Sequence, residues 1–365
     1  MSIRLCDLVI AQEKSKIKAG EGKTKGDYKF FTSSNIQTKY VDFFQYDKPA
    51  LIFGTGGVPS IHYCDEPFST STDCLVLCAK NTMYSLKSLY LFFESHMNLL
   101  EKGFHGAGLQ HISKKYILDI QIPDIPINQQ SKINDIGDQL NKLINIRKQQ
   151  LEFFDMVVKS RFIEMFGDCV VNPKGWKTKP LEDIAEVGSS KRVFIEELQK
   201  SGIPFYRGTE VGALAEGKQI NPELFITEEH YAELCKATGA PQIGDLLMPS
   251  ICPDGRIWVI NTDKPFYFKD GRVLWVHAID NSYNPVFLLY TLKNRIMTDY
   301  SSIASGTTFA ELKIFALKKC QIYDVPTALQ NKFADYAKQT DKSKFECSIS
   351  LNSIQSFNFY NHFQI

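Results

Sequence analysis

Three stretches of the chain carry residue types that could do chemistry, and each lacks a required partner. Gly212-Ala213-Leu214-Ala215-Glu216-Gly217-Lys218-Gln219 approximates a phosphate-cradling loop. Gln219 stands where a Ser or Thr hydroxyl must ligand magnesium, and no long apolar strand precedes the loop. Gly54-Thr55-Gly56-Gly57 opens no helix and reads as a tight turn between two strands. His62, His105 and His111 fall at neither metal nor catalytic-triad spacing. The nine cysteines are odd in number and form no CxxC pair, so reduced thiols are expected. Cys74 and Cys78 bracket the apolar run CLVLC, which reads as a buried strand. No nucleophile, base and cofactor site occur together. The expectation is a chain that is not an enzyme, with no catalytic residue and no metal ligand of its own.

The bulk composition narrows the partners. The chain has 365 residues, 44% hydrophobic and 23% charged, enough for two domains with separate cores. Its formal net charge of +1 argues against indiscriminate binding to phosphates. It leaves room for local basic patches, such as the lysine-rich run from Lys14 to Lys39, although such runs are commonly only solvated loops. No apolar run is long enough to span a bilayer, and the first residues are too polar for a signal peptide, so a cytoplasmic chain with no membrane role is expected.

The elements that must position any site are written twice. RLCDLVIAQEKSK near the start matches PLEDIAEVGSSKR, pairing Leu5 with Leu181, Asp7 with Asp183, Leu8 with Ile184 and Lys16 with Arg192. An aromatic strand follows in each half, YKFFTSSNI and IPFYRGTEV. Next come ALIFGTGGVPSIHY and DLLMPSICPDGRIWVI, then Pro67-Phe68 and Pro265-Phe266, then the apolar strands CLVL and RVLWV. The closing segments hold register without a gap. Gly106, Ile112 and Ile117 pair with Gly306, Leu312 and Leu317; Gln121, Ile122, Asp124, Pro126, Gln130, Lys132 and Asp135 recur two hundred positions later as Gln321, Ile322, Asp324, Pro326, Gln330, Lys332 and Asp335.

Each half ends in a helix. Ile133, Ile136, Leu140, Leu143 and Ile144, then Leu151, Phe154, Val158, Phe162 and Met165, give an amphipathic, coiled-coil-like spacing with a stutter near Arg147, closed by Gly167. About 39 such residues span roughly 58 Å. The partner stripe is Phe333, Tyr336, Leu351, Ile354 and Phe357, in a more polar helix. Either the helices pack only on their own domains, or they pair antiparallel and hold the domains apart; the length of the first favours pairing. The resulting fold class is α+β: two duplicated strand-rich globular domains separated by a pair of long antiparallel coiled-coil-like helices, with pseudo-twofold symmetry. The expected boundaries are residues 1–126, the spacer helix 127–167, residues 168–326, and the second helix 327–365.

VKSRFIEMFGD at Val158 to Asp168, closing a helix that begins IPINQQSKI, resembles the central region of type I restriction–modification specificity subunits, as does NPKGWKTKPLEDIAEV. The doubled architecture carries the resemblance over essentially the whole chain. It implies two target-recognition domains, each reading half of a bipartite site in double-stranded DNA. It implies that the helices set the spacing and dock two methylation subunits, with restriction subunits completing the complex. S-adenosylmethionine, ATP and Mg2+ are then expected on those partners and no cofactor on this chain. Consistent with that division, the chain lacks an Asn/Asp-Pro-Pro-aromatic methyltransferase motif.

Base reading needs polar side chains aimed at groove edges, and phosphate contacts need cations, hydroxyls or amides. The first-half candidates are Lys25, Lys29, Thr32, Ser33, Ser34 and Asn35; Gly56 and Gly57, for close backbone approach; Ser69 and Thr70 in a hydroxyl-rich loop; and Gln110 with His111. In the second half they are Arg207, Thr209, Glu210, Ser250, Arg256, Lys269, Arg272, Thr307 and Thr308. Arg207, ending an aromatic strand, is the foremost, with an internal ion pair as its alternative role. The rival readings of the whole chain are a recognition subunit serving a different methylase–nuclease and a coiled-coil scaffold with no DNA role.

Overall fold

The structure, a computed structural model, describes residues 2–106, 108–306 and 310–355. The chain divides into two compact units, residues 1–149 with 348–365, and residues 150–347.

In the first unit, β1 (Ser2–Arg4), β2 (Val9–Ala11), β3 (Tyr28–Phe31), β4 (Lys39–Val41), β5 (Ala50–Gly54), β6 (Ser60–Cys64), β7 (Phe68–Thr70) and β8 (Cys74–Ala79) precede helix α1 (Leu86–Ser95), β9 (Gln121–Pro123) and the long α2 (Ile127–Phe166). Four strands form an antiparallel sheet in the order β2-β8-β5-β6, and a second sheet runs β4-β3-β7 with β3 and β7 parallel. β1 pairs with β9 and so ties the chain start to the approach to α2. Every residue of β5 is buried, because its two faces meet two separate apolar clusters, which is why ALIFG reads as an unbroken apolar run instead of an alternation. The run CLVLC is buried in β8.

The second unit repeats the plan. β10 (Thr178–Pro180), β11 (Glu186–Gly188), β12 (Ile203–Tyr206), helix α3 (Gly208–Ala215), β13 (Leu246–Pro249), β14 (Trp258–Val259), β15 (Tyr267–Phe268) and β16 (Val273–His277) lead to α4 (Pro285–Ile303), β17 (Gln321–Tyr323) and α5 (Thr327–Gln355). The sheet order is β11-β16-β13-β14, β12 runs parallel to β15, and β10 pairs with β17.

Matching hydrogen bonds make the duplication explicit. Leu5 N–Ile120 O at 3.0 Å recurs as Leu181 N–Cys320 O at 2.9 Å, and Lys80 N–Leu8 O at 2.9 Å as Asp280 N–Ile184 O at 2.8 Å. Where each long helix starts, a glutamine is 1% exposed. Gln130 Nε2 donates to the Ile125 and Met83 carbonyls at 2.7 and 3.0 Å, and its Oε1 accepts from Ser85 N at 2.8 Å. Gln330 does the same with Val325, Ser282 and Asn284 at 2.8, 3.0 and 2.8 Å. Ser85 and Asn284 are also the N-caps of α1 and α4, so each glutamine locks a long helix to the helix packed on it. Two turns on, Gly137 lies against Leu91, where a Cβ would come within 2.7 Å, and the matching Ala337 is fully buried.

α2 gives Ile133 to the core of the first unit and Val158, Phe162 and Phe166 to that of the second. Within the second unit α2 and α5 run antiparallel: Phe162 meets Phe333, Arg161 lies over Tyr336, Asp155 pairs with Lys344 at 2.6 Å, and Gln150 meets Cys347. The seam differs from the expected stripe at one position. Leu143 is 44% exposed, because the 3–4 spacing through the stutter places Ile144 and Arg147 inward. Leu151, Phe154, Ile136, Leu140, Tyr336 and Ile354 are half-buried and Leu351 is buried. Gly167, at φ +87, ends α2, and Trp176 Nε1 caps it by donating to the Phe166 carbonyl at 3.0 Å. That cap is the structural role of the NPKGW segment. Phe357 lies outside the described residues.

Candidate nucleic-acid interface

A cleft of about 610 Å3 in the second unit gathers Arg207, Thr209, Ser250, Arg256, Lys269 and Arg272. Phe205, Leu198 and Leu224 supply its apolar floor. These residues come from distant parts of the chain and converge by strand register. Arg207 follows β12 directly, Lys269 and Arg272 sit in the β15–β16 turn, and Ser250 follows β13. Lys269 N donates to Tyr206 O at 2.9 Å and Ser250 N to Arg272 O at 2.9 Å, which fixes the three segments side by side. Four cations therefore share one wall, in a chain whose net charge is only +1.

Each of those cations already faces a carboxylate. Arg207 makes a two-pronged contact with Glu210, Nε to Oε2 at 3.1 Å and Nη2 to Oε1 at 2.6 Å, and touches Glu223 at 3.3 Å. Arg256 lies beside Asp254 at 2.8 Å, Lys269 beside Asp270 at 3.5 Å, and Arg272 pairs with Glu311. The Arg207–Glu223 and Arg256–Asp254 pairs have exposed carboxylates and stabilise the fold little, whereas Asp270 and Glu311, at 17% and 28% exposure, are more sheltered. Glu210 differs. Its side chain is 14% exposed and its Oε2 also accepts from Arg207 N at 2.8 Å and Thr209 Oγ1 at 3.0 Å. Burial alone would raise its carboxyl, but the hydrogen bonds from Arg207 and Thr209 hold it at about 2. Glu210 is thus a support for Arg207 and does not line the cleft. Gly212 sits inside α3 against Arg256 and Pro249, so the phosphate-loop resemblance has no strand–loop–helix behind it.

In the first unit three loops meet at one end of the large sheet. Ser60 Oγ donates to Ser33 O at 3.1 Å, His62 Nε2 lies 2.8 Å from Ser34 O, and Gly57 N donates to Gln110 O at 2.9 Å. Ser34, Asn35 and Gln110 are exposed there, with Thr32 and Ser33 half-buried. Lys25 is exposed, and Lys29 pairs with Glu66 at 3.1 Å. The sequence reading missed the exposed aliphatic tips Ile36, Val58 and Leu109, at 64%, 62% and 69% exposure. An apolar residue inside a polar loop was their signal.

Two first-unit expectations are corrected. Ser69 and Thr70 are not in a loop: they form β7 beside β3, are fully buried, and bind the Phe43 carbonyl and the Gln45 side chain. Gly56 is buried and closed to phosphate, and Gly57, though its Cβ side is open, has no amide to offer. The Gly57 amide is taken by Gln110, and Gly56 is packed against the His111 ring, 3.1 Å from where its Cβ would stand. In the second unit Ser250 is 3% exposed and offers only the cleft floor. Thr307 and Thr308 lie outside the described residues. Among the described residues, no group of three or more His, Cys, Asp or Glu side chains could hold a metal ion, and no helix is long and apolar enough to cross a membrane.

The ladders also equate positions across the units. Ser71 N–Phe31 O at 2.8 Å matches Lys269 N–Tyr206 O, and Ile112 N–Thr55 O at 3.1 Å matches Leu312 N–Ser250 O at 2.7 Å. Thr32, Ser71, Thr55 and Asp73 therefore occupy the slots of Arg207, Lys269, Ser250 and Arg272. One frame carries two different polar sets.

A family model described as the type I restriction modification DNA specificity domain matches residues 1–152 and again 173–352. Among curated proteins of Methanocaldococcus jannaschii, the type I restriction enzyme MjaIX specificity subunit is 24% identical over 289 residues, 73% of this chain and 65% of the relative. The MjaVIII specificity subunit is 23% identical over 141 residues, 35% of this chain and 33% of the relative. The matches thus span under two thirds of the length of either relative. Two solved structures share the fold: the type I restriction–modification system S subunit from M. genitalium, with a TM-score of 0.55, 15% identity and coverage of 97% of this chain and 92% of that one, and a chain from a study of complex assembly and conformational transition of the type I R-M system, with a TM-score of 0.58, 14% identity and coverage of 97% and 94%. With both halves matched in order by that family's model, the chain belongs to the type I restriction–modification DNA specificity domain family.

Proposed function

We propose that this chain is the non-catalytic DNA-reading subunit of a type I restriction–modification complex, in which each unit reads one half of a bipartite site. The observation that carries the reading is the reuse of one backbone frame with different accessible residues, Thr32 and Asp73 in one unit where Arg207 and Arg272 stand in the other, while Ser71 and Ser250 are buried. The reagents of the chemistry, S-adenosylmethionine, ATP and Mg2+, belong on this reading to the methylation and restriction subunits. The boundaries 1–126, 127–167, 168–326 and 327–365 are its working parts.

The cleft gives a direct test. Replacing Arg256, Lys269 and Arg272 with glutamine should weaken duplex binding by the chain. The slope of log affinity against log salt should fall by roughly one for each phosphate that is no longer neutralised. A scaffold with no DNA role would show neither salt-dependent nor sequence-selective binding before or after the change.

α2 also supports the partner reading. Ile133, Val158 and Phe162 are buried in the two cores and serve the spacer, so they cannot meet another chain. Outside the seam, Leu143, Ile146, Phe153, Met156 and Ile163 stand 40–58% exposed at heptad-like spacing. Those side chains are the ones free to dock methylation subunits. Phe153→Lys with Met156→Lys should abolish co-elution with the methylation subunit while changing the melting temperature of the chain by no more than a degree or two.

A further inference from the structure

Resting on the DNA-reading function above, we propose that Arg207 reads a guanine in the half-site of the second unit, with Glu210 as its positioning residue. The guanidinium is fixed on one side. Glu210, nearly buried and ionised, takes Nε and one Nη2 proton, and is itself held by Arg207 N and Thr209 Oγ1. Nη2 also donates to Glu223 at 3.3 Å; with that contact displaced, the end-on pair, Nη1 and the second Nη2 proton, is free on a side chain 44% exposed at the cleft. Two parallel donors match the N7 and O6 acceptors of guanine in the major groove; adenine offers a donor, N6, in place of O6.

Charge separates this from a phosphate contact. Glu210 neutralises Arg207, so with Glu223 displaced the pair presents two aligned donors and no net charge. A phosphate gains little Coulomb attraction from a neutralised pair, whereas a base edge needs only the two donors. Glu223 touches Nη2 only once, at 3.3 Å, with its side chain 76% exposed, and swings away at little cost. The slot is occupied by Thr32 in the first unit, so the two half-sites differ at this base pair.

The test is selection from a randomised duplex pool by the full chain bound to its methylation subunit. Wild type should require a guanine at one position of one half-site. Arg207→Ala should keep the rest of the motif and lose roughly 10- to 100-fold of the preference there, the worth of one two-pronged base contact. Arg207→Lys, which keeps charge and length without the fork, should lose most of it too, and carries the test if the alanine variant does not fold. Glu210→Gln should weaken the preference at that same position alone. Glu223→Gln should keep it. Uniformly weaker binding of Arg207→Lys with an unchanged motif, or a wild-type half-site with no such guanine, would overturn the proposal while leaving the DNA-reading function intact. A wild type that selects no split motif would instead overturn that function.

Discussion

Phe162→Ala is expected to destabilise the second unit by about 3–5 kcal/mol, the range for deleting a buried phenyl ring. Phe162 is fully buried, with ring centroids 5.0 Å from Phe166, 6.0 Å from Phe287 and 5.3 Å from Phe333. Those rings belong to α2, α4 and α5, so the cavity would open where three helices meet. The surrounding rings already pack edge to face, Phe166 on Phe287 at 4.9 Å and Phe333 at 5.7 Å, and cannot collapse into the space without breaking that packing. Urea unfolding followed by hydrogen exchange should show faster exchange in residues 150–166 and 327–347. Phe153→Ala, on the same helix and 58% exposed, should change stability by less than about 0.5 kcal/mol. Equal effects from the two substitutions would mean that the helices do not pack as described.

Gln130→Leu and Gln330→Leu form the second large pair. Leucine fills nearly the same volume, so no cavity complicates the result. Each substitution removes three hydrogen bonds: Ile125 O, Met83 O and Ser85 N lose that partner in the first half, and Val325 O and Asn284 N in the second, where Ser282 O keeps Thr327 Oγ1 at 2.9 Å; the cost is about 2–4 kcal/mol. The first should loosen residues 83–86 and 125–137, the second residues 282–286 and 325–337, by hydrogen exchange. The shared geometry predicts losses of similar size, the second somewhat smaller because Ser282 O keeps Thr327 Oγ1. A loss in only one of them would count against the duplication as a functional joint.

How much of this was legible beforehand differs by region. The closing segments align without gaps, so Gln130 and Gln330 were visible as a pair. Their role was hidden, because sequence alone does not reveal that a polar residue after a proline is turned inward to two carbonyls. The cleft was only partly legible. Arg207, Lys269 and Arg272 could be named as cations near turns, but not as neighbours, since only the ladder between β12 and β15 sets them side by side. The equivalence of Thr55 with Ser250 was obscured because the second unit inserts α3 and the helix Glu228–Thr238 between the two matching strands. Ser69 and Thr70 misled because four consecutive hydroxyl residues look like a loop; β7 is short, and its burial comes from β3 beside it. Leu143 misled because a leucine beside an isoleucine leaves the register of the stripe open, and only packing chose Ile144.

The central claim is that this chain chooses the DNA sequence on which partner subunits act. Its most direct test is mapping of adenine methylation in cells that express the chain with its methylation subunit, against cells lacking only the chain. The account predicts that one split motif, two different short half-sites with a fixed gap, disappears with the chain. An unchanged set of methylated motifs, with both proteins soluble and associated, would contradict it.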